Sequence, residues 1–525
     1  MFTVPGAETA RSTPRLSGKP VFGLISLYVV ENNGVRFLSS ILREQGYEVV
    51  EIYLKDYYHA RFVWPTEAEV LHVLKILKER GVTLVGISLR AGGYYKVCKA
   101  ISKRIQDDLG LPVMWGGMHV TMAPEQCIPH ADLIVVGEAE RVIVELFDKI
   151  TRGEDIAEVP SVWLHRDGQV IRNPVRMLEE DLDSLPFRDF HSHHDKYWVE
   201  DDKIIPGDPY ATQTSYLMLS ARGCLFNCSF CDINALRKVY RGKGKFYRAM
   251  SPEKVVEEAK YAVKAFKNLR RIRFDDELFM LEEEWVDRFC EIYPKEVGIP
   301  FEFLTDPRVV NEDLLRKLKK AGMATVMMGI QNLDTINKAI FNRNVSNEKV
   351  LEAAHAIKRI GVRPCYQILM DDPISTPQDK RDFFEFLCEL PRPYDLYLFS
   401  LSYWPSCDVT DNFLKQGLIT PADVEGENDK CLKQFRVDLS WPRPKEDVFW
   451  LSIITLLSKD FLPIPFIRWL SHRKWLMEHP WPVYAAAQFL NAAKLGLLAL
   501  ELIRRRELTW DTLKRWVNWK SLATS

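Results

Sequence analysis

The sequence has little net charge, no apolar leader and few cysteines for its length. Its 71 Lys and Arg stand against 72 Asp and Glu, a formal net charge of −1. No Lys/Arg-rich stretch is interleaved with aromatics, which excludes the footprint of a nucleic-acid binder. The opening residues MFTVPGAETARSTPRLSGKP contain no apolar run. This excludes a secretory signal there and leads us to expect a disordered leader over residues 1–19 and a cytoplasmic chain. Ten cysteines in 525 residues are too dispersed for a disulfide framework, but three of them fall within eight positions. Without an export signal, that clustering favours reduced thiols and a metal site. What the chain does have is bulk: 47% hydrophobic and 27% charged residues suit a soluble protein with large cores, about three domains at this length.

Residues 20–151 alternate short apolar runs with helical patterns. Strands are expected at Val21–Leu27, Val49–Tyr53, Leu84–Leu89, Val113–Trp115 and Leu133–Val136, and helices at Phe37–Gln45 and Tyr95–Asp108. This α/β alternation predicts a doubly wound, Rossmann-like parallel sheet with ligands at the carboxyl ends of its strands. Residues 152–214 read as a linker, with the acidic run Glu179–Asp183 and solvated histidines at His191, His193 and His194. From 215 to 402 the alternation resumes with a longer period. Strands are expected at Tyr216–Leu219, Arg271–Phe274, Phe301–Leu304, Thr325–Ile330, Arg363–Ile368 and Leu396–Leu401, with long helices such as Pro252–Phe266 and Asn347–Ile360. Six βα units predict a partial (β/α)6 barrel with its chemistry on the loops that follow the strands. Residues 403–525 read as a helical carboxy-terminal domain, and eight of the fourteen tryptophans lie from Trp441 to Trp519.

The sharpest motif is Cys224-Leu-Phe-Asn-Cys228-Ser-Phe-Cys231, directly after the first barrel strand and the turn Ala221-Arg222-Gly223. Three thiolates on one loop can hold three irons of a [4Fe–4S] cube and leave the fourth open. A structural zinc would want a fourth Cys or His nearby, and the next candidate, Cys290, sits on an apparent helix. Cys407 and Cys431 are far apart in sequence and read as structural.

This CxxxCxxC spacing, with Phe230 before the third cysteine and Ser220-Ala221-Arg222-Gly223 ahead of the first, resembles the radical SAM superfamily. The resemblance implies that S-adenosylmethionine (SAM) chelates the open iron and is cleaved to a 5′-deoxyadenosyl radical. It also implies that Asp275, Asp276 and Glu277 form the acidic loop near the SAM amino group. Gln331, in Met328-Gly329-Ile330-Gln331-Asn332, and Arg308 would line the same site with Phe230. Asp371-Asp372-Pro373 departs from the pattern, since relatives commonly carry a glycine before the proline.

The amino-terminal domain resembles cobalamin-binding domains. Ser88 and Leu89 end one strand, Gly116-Gly117 ends the next with His119 close behind, and Gly137-Glu138-Ala139-Glu140 follows the strand after that. Paired glycines let backbone pass close to a ligand. The resemblance implies cobalamin contacts from these residues and from the first loop, at Glu31, Asn33 and Gly34. Glu31 stands where that family often has the histidine that ligates cobalt, so cobalamin would bind without one.

The segment Val483–Ile503 is apolar except for Gln488, Asn491, Lys494 and Glu501, which share one helical face. From Trp441 to the end there are 13 Lys and Arg against 7 Asp and Glu. Two readings stand: a helical cap over the barrel mouth, which is the plainer, or a domain that touches a membrane surface. Together these features lead us to expect a cobalamin-dependent radical SAM enzyme that methylates an unactivated carbon of a bulky apolar small molecule. Its electrons would come from a reducing partner such as flavodoxin or ferredoxin. A non-methylating, porphyrin-cyclase-like enzyme and a non-catalytic cobalamin-binding protein are the alternatives. A tRNA methylthiotransferase would need three further cluster cysteines in the amino-terminal domain, where only Cys98 and Cys127 occur.

Overall fold

A computed structural model describes residues 18–56, 63–190, 193–211, 213–279, 282–370, 372–424 and 444–504. The leader up to residue 17, His191, Asp371, Cys431, Trp441 and the tail beyond residue 504 lie outside the described residues.

The amino-terminal half is built on nine strands: β1 (Val21–Leu27), β2 (Glu48–Leu54), β3 (Leu84–Ser88), β4 (Val113–Gly116), β5 (Leu133–Val135), β6 (Val162–Arg166), β7 (Gln169–Arg172), β8 (Lys196–Glu200) and β9 (Lys203–Pro206). Their order across the sheet is β7-β6-β5-β4-β3-β1-β2-β8-β9. The five expected strands run parallel through its middle. The first helix covers Asn33–Glu44, four residues ahead of the expected start. Asn32 caps it by accepting from the Val35 N–H at 3.2 Å, so the polar run Asn32-Asn33-Gly34 is a helix start and not loop.

The expected linker is the main correction. Residues 152–214 supply four strands, which close both edges of the sheet: β6 and β7 add antiparallel beside β5, while β8 adds parallel beside β2. These strands are short and only half apolar; β6 with β7 and β8 with β9 are hairpins about Asp167-Gly168 and Asp201-Asp202, but the sheet edges they join, β5 and β2, lie well back in the sequence, so their attachment is not announced locally. The same segment carries the counter-charges of a buried cation. The Arg36 guanidinium is fully buried; it donates to both Asp208 oxygens at 2.6 and 2.8 Å and to the Val30 carbonyl at 2.7 Å. Lys196 Nζ donates to the same Asp208 at 3.1 Å. Of the expected histidine cluster, His194 is exposed beside Asp195 at 3.0 Å.

The second sheet follows at once. Its first strand is β10 (Ser215–Met218). A small antiparallel pair comes next, β11 (Ala221–Arg222) with β12 (Arg248–Ala249). The sheet continues with β13 (Arg271–Phe274), β14 (Phe301–Thr305), β15 (Met323–Gln331), β16 (Arg363–Met370) and β17 (Asp395–Ser400). The six strands β10-β13-β14-β15-β16-β17 are all parallel and open at both edges, a partial barrel. Its core is strongly aromatic, with Phe279 stacked on Phe303 at 4.5 Å and Phe289 on Tyr293 at 4.8 Å. Beyond the barrel, the helix Lys445–Leu457 is buried continuously from Val448 to Leu457. Trp450 packs on Phe384 of the barrel helix Pro377–Glu389 at 5.8 Å.

One fully buried guanidinium binds the two sheets together. Arg188 donates to Glu258 at 2.6 Å, to the Leu217 carbonyl on β10, and to the Asn33 side chain of the amino-terminal domain. Tyr216 donates its hydroxyl to the same Glu258 at 2.7 Å. Removing one partner of such a pair strands the other charge away from water. Arg188→Met is therefore expected to destabilise the chain by about 3–5 kcal/mol in urea unfolding, whereas Arg188→Met combined with Glu258→Gln should lose clearly less.

Candidate active site

A cavity of about 300 Å³ lies where the carboxyl ends of the amino-terminal strands meet the start of the barrel. One wall is Asn33, Gly34, Ser88, Gly116, Gly117, Gly137 and Glu138; the other is Leu219, Ala221, Arg222, Gly223 and Glu277. The cavity continues between sheet and helices past Leu24, Gly86, Met114, Val135 and Ile143, an apolar slot of the kind that admits a flat ligand tail. Gly116 borders open space, since a Cβ there would touch nothing within 4 Å. Gly117 has φ +109°, and a Cβ on it would lie 2.8 Å from the Leu89 carbonyl oxygen. These glycines bring bare backbone to the cavity edge, which suits a bulky cofactor.

The expected cobalamin set divides. Asn33, Gly34, Ser88, Gly116, Gly117, Gly137 and Glu138 line the cavity. Leu89 instead serves Gly116 and His119 through its backbone. The His119 ring is a correction: it is buried, and its Nε2 meets Gln126 Oε1 at 2.9 Å, so it is part of the core. Its helix begins at Met118, and one turn carries the side chain away from the strand ends. Glu31 is half-buried near Tyr210 and does not line the cavity.

A salt-bridged seam joins the two walls; of its barrel-side members only Arg222 stands in a motif apparent from the sequence, the run Ser220-Ala221-Arg222-Gly223. Glu138 receives Arg248 at 2.6 and 3.1 Å and lies 3.5 Å from Arg222. Burial opposes its ionisation, but the two guanidinia outweigh it and hold Glu138 below the usual carboxylate range. Arg222 also donates to Glu140 at 2.7 Å. Gly137, at φ +97°, lies so close to the Tyr240 hydroxyl that a Cβ would collide with it, and that hydroxyl accepts the Glu138 N–H.

The cysteine loop leads from β11 into the helix Asp232–Val239, for which Cys231 is the cap residue. Arg237 on that helix donates to the Cys224 and Phe226 carbonyls, and Ser229 donates its hydroxyl to the Ile340 carbonyl at 2.7 Å. Cys407 donates to the Cys231 carbonyl at 3.4 Å, so it backs the loop. All three thiols are half-buried. Burial raises each of them, and nearness to one another adds to the shift for Cys224 and Cys231. Arg308, 3.9 Å from Cys228 Sγ, and Arg343 work the other way at Cys228. Among the described residues no three His, Cys, Asp or Glu side chains close on a single metal ion. A cube does not ask for that, because each thiolate takes a separate corner iron. The donor set, neighbouring soft thiols beside guanidinia that favour the thiolate, fits such a group.

The expected SAM residues also separate. Glu277 alone of them lines the cavity. It is exposed onto that space but otherwise enclosed by protein. The enclosure, with Asp276, Asp232 and Asp275 adding, pushes its carboxyl up to about 8. Asp276 is fully buried and holds the barrel opening together, accepting from the Ser220 hydroxyl at 2.5 Å and from the Ser220 and Ala221 N–H groups. Asp275 pairs with Arg273 at 3.1 Å. Phe230 packs edge-on to Phe341 at 5.1 Å, bracing the loop from behind. Gln331 sits at a bulge of β15 with φ +68°, where its amide covers Gly329. Arg308 lies 3.4 Å above the Phe226 ring and pairs with Asp306, which Arg343 also reaches at 2.8 Å.

The model of the Radical SAM superfamily matches residues 218–387, and that of the B12 binding domain matches residues 22–147. An uncharacterized methyltransferase of Pyrococcus horikoshii is 25% identical over 341 residues, covering 63% of this chain and 69% of the relative. The anaerobic magnesium-protoporphyrin IX monomethyl ester cyclase of Rubrivivax gelatinosus is 24% identical over 420 residues, 75% of this chain and 69% of the relative. Among solved structures, the radical S-adenosylmethionine methyltransferase TsrM of Kitasatospora setae, with tryptophan and a SAM analogue bound, shares the fold. Its TM-score is 0.59 at 17% identity, over 75% of this chain and 76% of TsrM.

The raised Glu277 gives a signed pH test. Between its ordinary 4.5 and about 8 the folded chain holds a proton that the unfolded chain has lost, so this group weakens the fold as pH rises through that window. A cationic ligand beside it prefers the ionised form. SAM affinity by calorimetry should therefore rise from pH 7 to 9, and Glu277→Gln should flatten that rise.

Proposed function

We propose, from the premise that the chain belongs to the cobalamin-binding radical SAM proteins, that it methylates an unactivated carbon of a bulky, apolar small molecule. It is an enzyme, and cobalamin, a [4Fe–4S] cluster and SAM are its cofactors. One observation carries the reading: a single cavity is walled by the strand ends of the B12-binding domain and by the residues that lead into the cysteine loop. Radical generation and methyl donation would then take place at the borders of one shared space. When bound, the cluster and SAM supply the radical and cobalamin supplies the methyl group.

The chain's own residues would hold and orient these groups. Cys224, Cys228 and Cys231 would each bind one iron, on a loop that Arg237 and Ser229 fix in place. Glu277 would meet the SAM amino group from the cavity wall. Arg308, stacked on Phe226 and held by Asp306, would present its guanidinium beside Cys228. Ser88, Gly116, Gly117 and Gly137 would cradle cobalamin, with Asn33 and Gly34 at its edge. No histidine faces it from the first loop, which carries Glu31 instead. Arg222, Arg248 and Tyr240 would keep water from the seam, which protects a radical from quenching. A flavodoxin- or ferredoxin-like partner would deliver the electron.

Ring closure is the second reading, favoured by the match to a protein named as a porphyrin ester cyclase over three quarters of this chain. Mass spectrometry of apolar lipids and pigments separates the two. In cells fed methyl-deuterated methionine, one species should carry the label and vanish when the gene is deleted. A species that vanishes without ever carrying label supports ring closure and sinks methyl transfer. Replacing Cys224, Cys228 and Cys231 with alanine should abolish the visible absorbance of the reconstituted cluster and all 5′-deoxyadenosine formation, while cobalamin retention is largely kept.

A further inference from the structure

The final described helix, Trp481–Arg504, is turned inside out relative to an ordinary surface helix. A helix on a soluble protein buries its apolar stripe and shows its polar one to water. Here the polar residues face the protein. Asn491 receives Lys459 Nζ at 2.5 Å, Lys494 pairs with Asp395 at the start of β17, and the Gln488 amide nitrogen is buried. The opposite face points outward and is apolar along its length: Trp481, Phe489 (71% exposed), Leu497 (69%), Leu500 and Ile503, with alanines and Gly496 between them. Lys494, already paired, is the one charged side chain among the exposed described residues from 481 to 503.

Two short helices extend this surface. Ile464–Ser471 exposes Phe466 and Trp469, Lys474–Glu478 exposes Trp475 (60%), and Phe461 (68%) stands just before them. Both pack on Lys445–Leu457, as the long helix does, so the buried helix serves as their common floor. Exposed apolar area of this extent is not normal for a free protein surface.

The occupant is indicated by the residues among the aromatics. Arg473 lies over the Trp469 ring at 4.1 Å, and Lys474 is exposed beside it. Between residues 461 and 504 there are five Lys and Arg against two Asp and Glu. Tryptophans set among basic side chains next to an apolar face match the layered chemistry of a lipid headgroup region. Among the described residues no helix is long and apolar enough to cross a membrane, so the surface would lie on a bilayer and not span it.

We infer that the outward faces of residues 461–504 form a docking surface for an anionic lipid bilayer, with Phe489 and Leu497 entering the acyl boundary and Arg473 and Lys474 meeting lipid phosphates. The inference goes beyond methyl transfer and does not require it.

Flotation of the full chain with vesicles tests it directly. The chain is expected to float with phosphatidylcholine–phosphatidylglycerol vesicles and less with phosphatidylcholine alone. Phe489→Glu with Leu497→Glu should lower the bound fraction about tenfold or more, with circular dichroism and cluster absorbance unchanged. Should that pair fail to fold, Arg473→Glu with Lys474→Glu should abolish the preference for anionic vesicles. A chain that stays in the dense fraction with both vesicle types overturns the proposal, as does flotation that neither pair of substitutions reduces. A chain that elutes as a dimer, and becomes monomeric with Phe489→Glu and Leu497→Glu, overturns it in favour of a second copy.

Discussion

A single guanidinium with no access to water sets the relation between the two halves of this molecule. Arg188 reaches the start of the first helix at Asn33, the backbone of the first barrel strand at Leu217, and the barrel helix at Glu258. It also lies 4.6 Å above the Tyr216 ring. A buried charge tolerates few geometries, because each lost donor contact leaves a polar atom unsatisfied. Because Asn33 lines the cavity and Leu217 runs into its Leu219 wall, this guanidinium ties one wall of the cavity to the other.

Two glutamates on the cavity wall show how the surroundings assign charge. Glu138 meets Arg248 and Arg222 and stays ionised despite burial. Glu277 pairs with no Lys or Arg among the described residues, stands among Asp276, Asp232 and Asp275, and burial pushes its carboxyl up to about 8. One side chain type thus serves as a fixed anion that closes a seam and as a carboxyl that its surroundings keep protonated near neutral pH. Asp276, one residue away, is consumed in holding Ser220 and Ala221, so adjacent positions in an acidic run do quite different work.

What could be read from the sequence was whatever is encoded locally. The cysteine spacing, the glycines at strand ends and the alternation of strands and helices each lie within a few residues of one another. They led to the doubly wound sheet and the open parallel barrel. Less legible were features set by a distant partner, or by where a helix begins. β8 pairs with β2 across more than a hundred residues, so residues 152–214 looked like a connector. His119 carries the right residue type near the right loop, but the helix from Met118 turns it into the core toward Gln126. Tyr240, Arg248 and the seam role of Arg222 were not legible because their importance rests on Gly137, Glu138 and Glu140, about a hundred positions earlier. The polar face of the last helix was legible; its direction was not, because that depends on Lys459 and Asp395.

The strands contributed by residues 196–206 also bear on how the chain is made. Arg36 emerges from the ribosome early, yet Asp208 and Lys196, which complete its surroundings, come some 160 to 170 residues later. After residue 151 has appeared, roughly sixty more residues must follow, several seconds at about 5–20 residues per second. Throughout that interval the nascent sheet holds a cation without its counter-ion and an open edge at β2. The barrel begins seven residues after Asp208, at Ser215. Completion of the first unit and the start of the second are thus nearly one event in synthesis, and the cobalamin domain is finished only as its partner begins to appear.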